Sequence, residues 1–258
     1  MQNEKLEERI ININGLKTFI RIKGQGETLL ILHGWGASSR SWEEVQDLLS
    51  KNFRVICLDL PGFGKSDPPP YAWDVENYAQ FIFALLRELK LKQFYLLGHS
   101  FGGAVALKLA LIQPDKVKRL ILVNAAIVRK PKTILKKILS FFAGIISLFN
   151  FLPGYQFFRG SFYRLVLRKT DYLKTAGVMR QTFTKVISEN LQPYCSKINI
   201  PTLIIWGEQD KITPLKDGIL INKLIPNSRI ITIKKTEHAP NLSHPEELAR
   251  IIKENLSK

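Results

Sequence analysis

The sequence predicts an α/β fold, a doubly wound sheet forming one core with an interruption in its middle. Three observations predict it. Strand-like apolar runs alternate with helical patterns along most of the chain, as expected when strands and crossover helices build a layered core. With 258 residues, 45% of them hydrophobic, the chain is long enough to bury a large single core. Between an apolar run and a small-residue helix stands Gly98-His99-Ser100-Phe101-Gly102, which fits the pattern Gly-x-Ser-x-Gly of a sharp strand-to-helix turn.

The elements follow in order. Asn14-Gly15 between alternating apolar segments marks an opening β-hairpin. Thr28 to His33 reads as a buried strand that runs into the loop Gly34-Trp-Gly-Ala-Ser-Ser39, with a helix near Trp42–Ser50 after it. Cys57 lies in a further apolar strand. Gln93 to Gly98 is a short buried strand, and Gly102 to Leu111 is the helix that follows the turn. Val117 to Val123, Pro201 to Gly207 and Arg229 to Lys234 are the later strands. Pro245-Glu-Glu after His244 is a helix start with proline in the first turn.

Composition narrows the setting. No internal repeat, low-complexity tract or metal-ligand spacing is present. Two cysteines, Cys57 and Cys195, lie far apart and offer no disulfide framework, which predicts a reducing compartment. The charged start Met1-Gln-Asn-Glu-Lys-Leu-Glu-Glu-Arg lacks a signal-peptide core, so a cytoplasmic location is expected and the sequons at Asn241 and Asn255 carry little meaning.

The serine turn needs partners to do chemistry. A serine there is lifted above the sheet, and the flanking glycines let strand and helix pack closely. Only four histidines can act as its base. His33 belongs to the early loop, and His99 neighbours the serine on a turn that points it elsewhere. His244 reads as a cap or surface residue. His238, just after a strand, is the expected base. The acid should follow a strand between the nucleophile and that histidine. Asp210 follows Pro201–Gly207 and is the expected acid, with Glu208 as the fallback; its role is to fix the imidazole tautomer and stabilise the imidazolium. The other position open to an acid, after Val117–Val123, holds Asn124, which cannot carry the charge. Backbone N–H groups of Trp35 and Phe101 are the expected oxyanion donors, a type of preorganised contact often worth several kcal/mol of barrier.

These parts resemble the α/β-hydrolase superfamily over nearly the whole chain. The similar segments are His33-Gly-Trp-Gly36, Asp59-Leu-Pro-Gly-Phe-Gly-Lys-Ser66, Gly98-His-Ser-Phe-Gly-Gly103, Trp206-Gly-Glu-Gln-Asp210 and His238. The resemblance implies a mostly parallel eight-stranded sheet flanked by helices, no metal or organic cofactor, and only a structural role for the loop from Asp59 to Ser66. It also implies an inserted helical cap where the alternation breaks. The core is then residues 1–126 and 191–258, and the cap is 127–190.

The cap segment has its own composition. It holds twelve Lys and Arg against only Asp171 and Glu189, a net charge of +10 out of +16 for the chain. From Thr133 to Leu152 a helix is expected, with Lys136, Lys137, Ser140, Gly144, Ser147 and Asn150 on a narrow polar stripe and aliphatic or aromatic residues elsewhere. Its uncharged run, Ile138 to Leu152, falls short of the about 20 residues a membrane span needs. So wide an apolar arc must be covered. One reading packs it on the body as the lining of an apolar pocket. A sharper one docks the basic, apolar cap on anionic membrane to take lipid-like substrate. Nucleic acid is a poor partner, because the basic residues sit among aliphatics and no binding motif appears.

The expected activity is hydrolysis of carboxylic esters with an apolar acyl or alkyl group, through an acyl-enzyme on Ser100. His33-Gly-Trp35 and Ser41-Trp42 also look like epoxide hydrolase sequence, but those enzymes and haloalkane hydrolases attack an sp3 carbon with a carboxylate. Ser100 would leave an ether that water cannot cleave. Carbon–carbon hydrolysis and perhydrolysis use the same serine machinery and stay open. A non-catalytic binding protein on this fold is the reading from a different class.

Overall fold

The computed structural model describes residues 6–129 and 176–256. Its strands are β1 (Glu7–Ile13), β2 (Leu16–Lys23), β3 (Thr28–Leu32), β4 (Arg54–Leu58), β5 (Phe94–His99), β6 (Val117–Val123), β7 (Thr202–Gly207) and β8 (Ser228–Ile233). β1 and β2 form the expected hairpin across Asn14 and Gly15, whose φ values of 50° and 87° are what a two-residue turn of this kind requires. All eight strands join one sheet in the order β1-β2-β4-β3-β5-β6-β7-β8. β1 to β2 and β2 to β4 are antiparallel, and every later pairing is parallel.

The parallel strands are apolar runs without alternation because both of their faces are covered. All five residues of β3 and all six of β7 are buried. Successive side chains still point to opposite faces, so two cores form. Leu30, Leu32, Leu96, Leu122 and Ile204 share one face with α2 (Val75–Glu88) and α3 (Phe101–Ile112). Leu29, Ile31, Leu97, Ile121 and Leu203 share the other with α1 (Glu43–Ser50) and the last described helix (Pro245–Leu256). α3 lacks an amphipathic stripe because it packs on both the sheet and α2, and nine of its twelve residues are buried. α2 starts at a reciprocal cap, in which Asp74 accepts the N–H of Asn77 and Asn77 accepts that of Asp74.

Local boundaries differ slightly from those expected. α3 begins at Phe101 rather than Gly102, since Ser100 itself is the residue before the helix. The approach to α1 is a tight 3-10 turn, Ser39–Trp42. Cys57 and Cys195 are free and buried. Asn241 and Asn255, the two sequon asparagines, are buried as well.

Between β6 and β7 the chain leaves the sheet and returns. The two ends of this excursion meet: the N–H of Leu191 donates to the Ile127 carbonyl at 3.0 Å, and that of Arg129 to Asn190 Oδ1 at 3.1 Å. Its returning arm is α4 (Gly177–Ser188), tied to the body where the Trp73 N–H donates to Thr182 Oγ1 and the Val75 N–H to Glu189. The helix expected over 133–152, with Lys130, Lys132, Lys136 and Lys137, lies outside the described residues. No helix among the described residues is long and apolar enough to cross a membrane.

Candidate active site

The parallel register lines up the carboxyl ends of β3, β5, β6 and β7 on one edge, where an open α/β sheet presents its loops for ligands. Leu32 pairs with Gly98, His99 with Val123, and Val123 with Ile205. Ser100 follows β5 directly, at φ 51° and ψ −115°. That is a strained backbone for a residue with a side chain. Tight packing enforces it: a Cβ on Gly98 would strike the Gly102 carbonyl, and one on Gly102 would strike that of Leu32. The N–H of Ser100 donates to Val123, and its carbonyl accepts from Gly103 and Ala126.

Three of the expected site residues come together from three loops. Ser100 Oγ lies 2.9 Å from His238 Nε2, and His238 Nδ1 lies 2.8 Å from Asp210 Oδ2. Since an ionised carboxylate only accepts, Nδ1 carries the proton and Nε2 is free to accept from the serine. The Asp210 side chain is fully buried while that of His238 stays partly exposed.

Asp210 is held more fully than the sequence indicates. Its Oδ1 accepts the N–H groups of Ile212 and Thr213 at 2.7 and 3.0 Å. Its Oδ2 accepts from His238, from Thr213 Oγ1 at 2.6 Å and from Asn124 Nδ2 at 2.5 Å. Burial alone would raise its pKa. The hydrogen bonds from His238, Thr213 and Asn124 outweigh burial and hold the carboxyl at about 2. Asn124, passed over as unable to bear charge, thus donates to the residue that does. Its own left-handed backbone (φ 45°) suits a short amide side chain. Thr213 was missed. An acidic residue two and three places before N–H groups it can accept is a local turn pattern, and Asp210 to Thr213 carried that signal.

The loop bearing Trp35 lies against the serine, since a Cβ on Gly34 would stand 3.3 Å from Ser100 Cβ. Phe101 opens α3, so its N–H has no carbonyl one turn back to donate to. Trp35, only partly buried, packs against Phe63, Phe101 and Phe183 with ring centroids 4.8, 5.3 and 5.0 Å apart. This makes an aromatic wall beside Ser100, joined by α4. Glu208, the fallback acid, is exposed and accepts the Lys235 N–H. His244 ends the short helix Pro240–Ser243, with Nδ1 3.1 Å from Thr236 Oγ1. Among the described residues no group of three or more His, Cys, Asp or Glu could hold a metal ion.

His33 and His99 are buried beside this site. His33 Nδ1 donates to the Gly34 carbonyl at 2.7 Å, and its Nε2 accepts from the Leu60 N–H at 3.0 Å, so it braces the loop after β3 against the one after β4. Burial lowers the pKa of His33 to about 4 and that of His99 to about 3. Both fall below the ordinary histidine value, so the unfolded chain takes up these protons first. Folding stability is therefore complete above about pH 6.5 and declines as pH falls toward 4, by up to about 1.4 kcal/mol per pH unit for each histidine. Urea unfolding at pH 7.5, 6, 5 and 4.5 should show that decline. A flat profile over this range would contradict both assignments.

The sequence matches the family described as alpha/beta hydrolase fold over residues 27–171 and 180–245. It is 30% identical over 262 residues to the pimeloyl-[acyl-carrier protein] methyl ester esterase of Wigglesworthia glossinidia brevipalpis, covering 93% of this chain and 98% of that protein. It is 27% identical over 263 residues to 2-hydroxy-6-oxononadienedioate/2-hydroxy-6-oxononatrienedioate hydrolase 1 of Pseudomonas putida, covering 89% and 88%. In fold it is similar to a bromoperoxidase from Bacillus anthracis, with a TM-score of 0.76 at 23% identity over 98% of this chain and all of that one. The sheet order, the serine turn and these matches agree, and the chain belongs to the α/β-hydrolase family as a hydrolytic enzyme.

Proposed function

We propose that this enzyme hydrolyses carboxylic esters carrying an apolar acyl or alkyl group, with Ser100 as nucleophile, His238 as general base and acid, and Asp210 as the residue that orients the histidine and stabilises its charged form. The observation that carries this reading is the 2.9 Å approach of Ser100 Oγ to His238 Nε2, made from a strained turn that keeps the hydroxyl forward. Ser100 Oγ attacks the ester carbonyl carbon while its proton passes to His238 Nε2. The carbonyl electron pair becomes an oxyanion, held by the N–H groups of Trp35 and Phe101. As the tetrahedral centre collapses, the alcohol leaves with the proton from His238. A water then gives a proton to His238 and attacks the acyl-enzyme, releasing the acid and restoring Ser100.

Support for an apolar substrate comes from the aromatic wall of Trp35, Phe63 and Phe183, which would cover an acyl chain but offers no charge to a polar one. Support for ester chemistry comes from the similarity to a methyl ester esterase. Similarity to a hydrolase of oxo-dienoate type keeps carbon–carbon cleavage as the second reading, since a carbanion leaving group would need the same serine, oxyanion site and proton donor. Segment 127–190, whose ends meet where the Arg129 N–H donates to Asn190 Oδ1, is read as a cap that closes over this wall. Its charge of +10 would favour contact with anionic lipid where apolar esters collect.

Initial rates on p-nitrophenyl esters of two to twelve acyl carbons test the reading, with a 2-hydroxy-6-oxo-dienoate assayed alongside. kcat/KM is expected to rise about 10-fold or more from the acetate to a medium chain, at roughly 0.8 kcal/mol per buried methylene until the pocket is full. Faster turnover of the dienoate than of any ester would transfer the assignment to carbon–carbon hydrolysis.

A further inference from the structure

His99 immediately precedes Ser100, yet its ring turns away from the serine and is 7% exposed. Its Nε2 lies 2.8 Å from the backbone carbonyl oxygen of His238, 139 positions further along the chain. A carbonyl can only accept, so Nε2 carries the proton and donates it. The ring is confined on its other sides. Trp42 packs edge-on at 6.1 Å, the His238 ring lies at 5.1 Å, and Gly34 is so near that a Cβ there would stand 3.0 Å from Nδ1. Three loops of the site therefore close around one imidazole.

This contact matters because of where His238 sits in the sheet. It follows β8 at the sheet edge, and β6 and β7 separate that strand from β5. The Ser100–His238 distance thus depends on a loop reaching back across two strands. The His99 hydrogen bond spans that gap directly, from the residue next to the serine to the backbone of the histidine. We propose that His99 is a positioning residue, which pins the His238 backbone and so keeps the His238 imidazole in register with Ser100. The inference rests on the reading of Ser100 and His238 as nucleophile and base.

The choice of imidazole has a physical reason. The groups facing His99 are the His238 ring, with Asp210 behind it, and His33 on the side of β3. Burial, reinforced by His238, keeps His99 neutral down to about pH 3. A neutral ring donates its one N–H without placing a charge 5.1 Å from His238. A lysine or arginine there would oppose the imidazolium that forms as Ser100 attacks and gives its proton to His238. A phenylalanine would fill the space and leave the carbonyl without its donor.

Glutamine and methionine at position 99 separate these roles, because the two have similar length and volume and only glutamine can donate from the position of Nε2. His99→Met should lower kcat on a small soluble ester by 10- to 100-fold, the scale of an ångström-level misplacement, with KM within about 2-fold. His99→Gln should recover most of the lost kcat. Fluorophosphonate labelling of Ser100 should slow and recover in the same order, although this reagent does not fill the substrate pocket. Equal kcat in the folded Met and Gln variants would overturn the proposal, as would a loss confined to KM. Ser100→Ala, assayed in parallel, separates the two levels. Turnover surviving in Ser100→Ala defeats the serine reading itself, whereas an inactive Ser100→Ala beside a fully active His99→Met defeats only the role of His99. A long-range proton–nitrogen NMR spectrum of the unaltered protein decides independently of any variant: His99 should be the neutral Nε2–H tautomer from pH 5 to 8. An Nδ1–H tautomer would rule the contact out, because Nε2 would then have no proton to donate.

Discussion

Ser100→Ala is expected to abolish ester hydrolysis, with kcat falling about 10⁴- to 10⁶-fold while the protein keeps its fold. Loss on this scale follows when the nucleophile is removed and only the oxyanion donors and substrate binding remain. The variant should fold because the strain at Ser100 is imposed by glycine packing and by backbone bonds to Val123, Gly103 and Ala126, none of which uses the hydroxyl. A fluorophosphonate should label the unaltered protein once, at Ser100, and leave Ser100→Ala unlabelled. Peptide mass mapping checks this. Ser66 is a poor competitor because its hydroxyl donates to the Asp59 carbonyl and accepts the Phe19 N–H, and Ser39 is buried. Label found on Ser38, Ser39 or Ser66 would overturn the assignment of the nucleophile.

Asp210→Asn should reduce kcat by about 10⁴-fold with little change in KM. The surroundings of Asp210 make the direction unambiguous. Two backbone N–H groups at the Oδ1 position demand an oxygen there. The amide nitrogen of asparagine is then forced into the Oδ2 position, facing donors from His238, Thr213 and Asn124. His238 can relieve that clash only by giving up its Nδ1 proton, which moves the proton to Nε2 and turns it toward Ser100. A ring in that tautomer cannot take the serine proton. Glu208→Gln, by contrast, alters an exposed side chain that accepts the Lys235 N–H, and kcat should stay within about 2-fold. The reverse result, an active Asp210→Asn and an inactive Glu208→Gln, would move the acid to Glu208.

Much of the site could be read in the sequence because its signals are local. The glycines around Ser100 report a turn that only close strand-helix packing requires, and both occur within three residues of it. Asp210 lies three positions after the end of one strand and His238 five after the end of another, so their placement at the carboxyl edge of the sheet is a matter of chain order. His244 was separable from His238 because Pro245 marks a helix start, and the structure puts it at the end of a helical turn against Thr236.

The sequence by itself determined the α/β class, the strands, the serine turn and the chain order of Ser100, Asp210 and His238. Apolar periodicity and turn chemistry are properties of a few consecutive residues, and they survive without knowledge of what packs on them. Only the tertiary structure decided the strand order across the sheet, the hydrogen bond from Asn124 to Asp210 and the reach of His99 to the His238 carbonyl. These depend on pairs 86 and 139 positions apart that meet only when parallel strands align in register. A hydrogen bond also needs placement to a few tenths of an ångström, which residue type and spacing cannot specify and a packed sheet can.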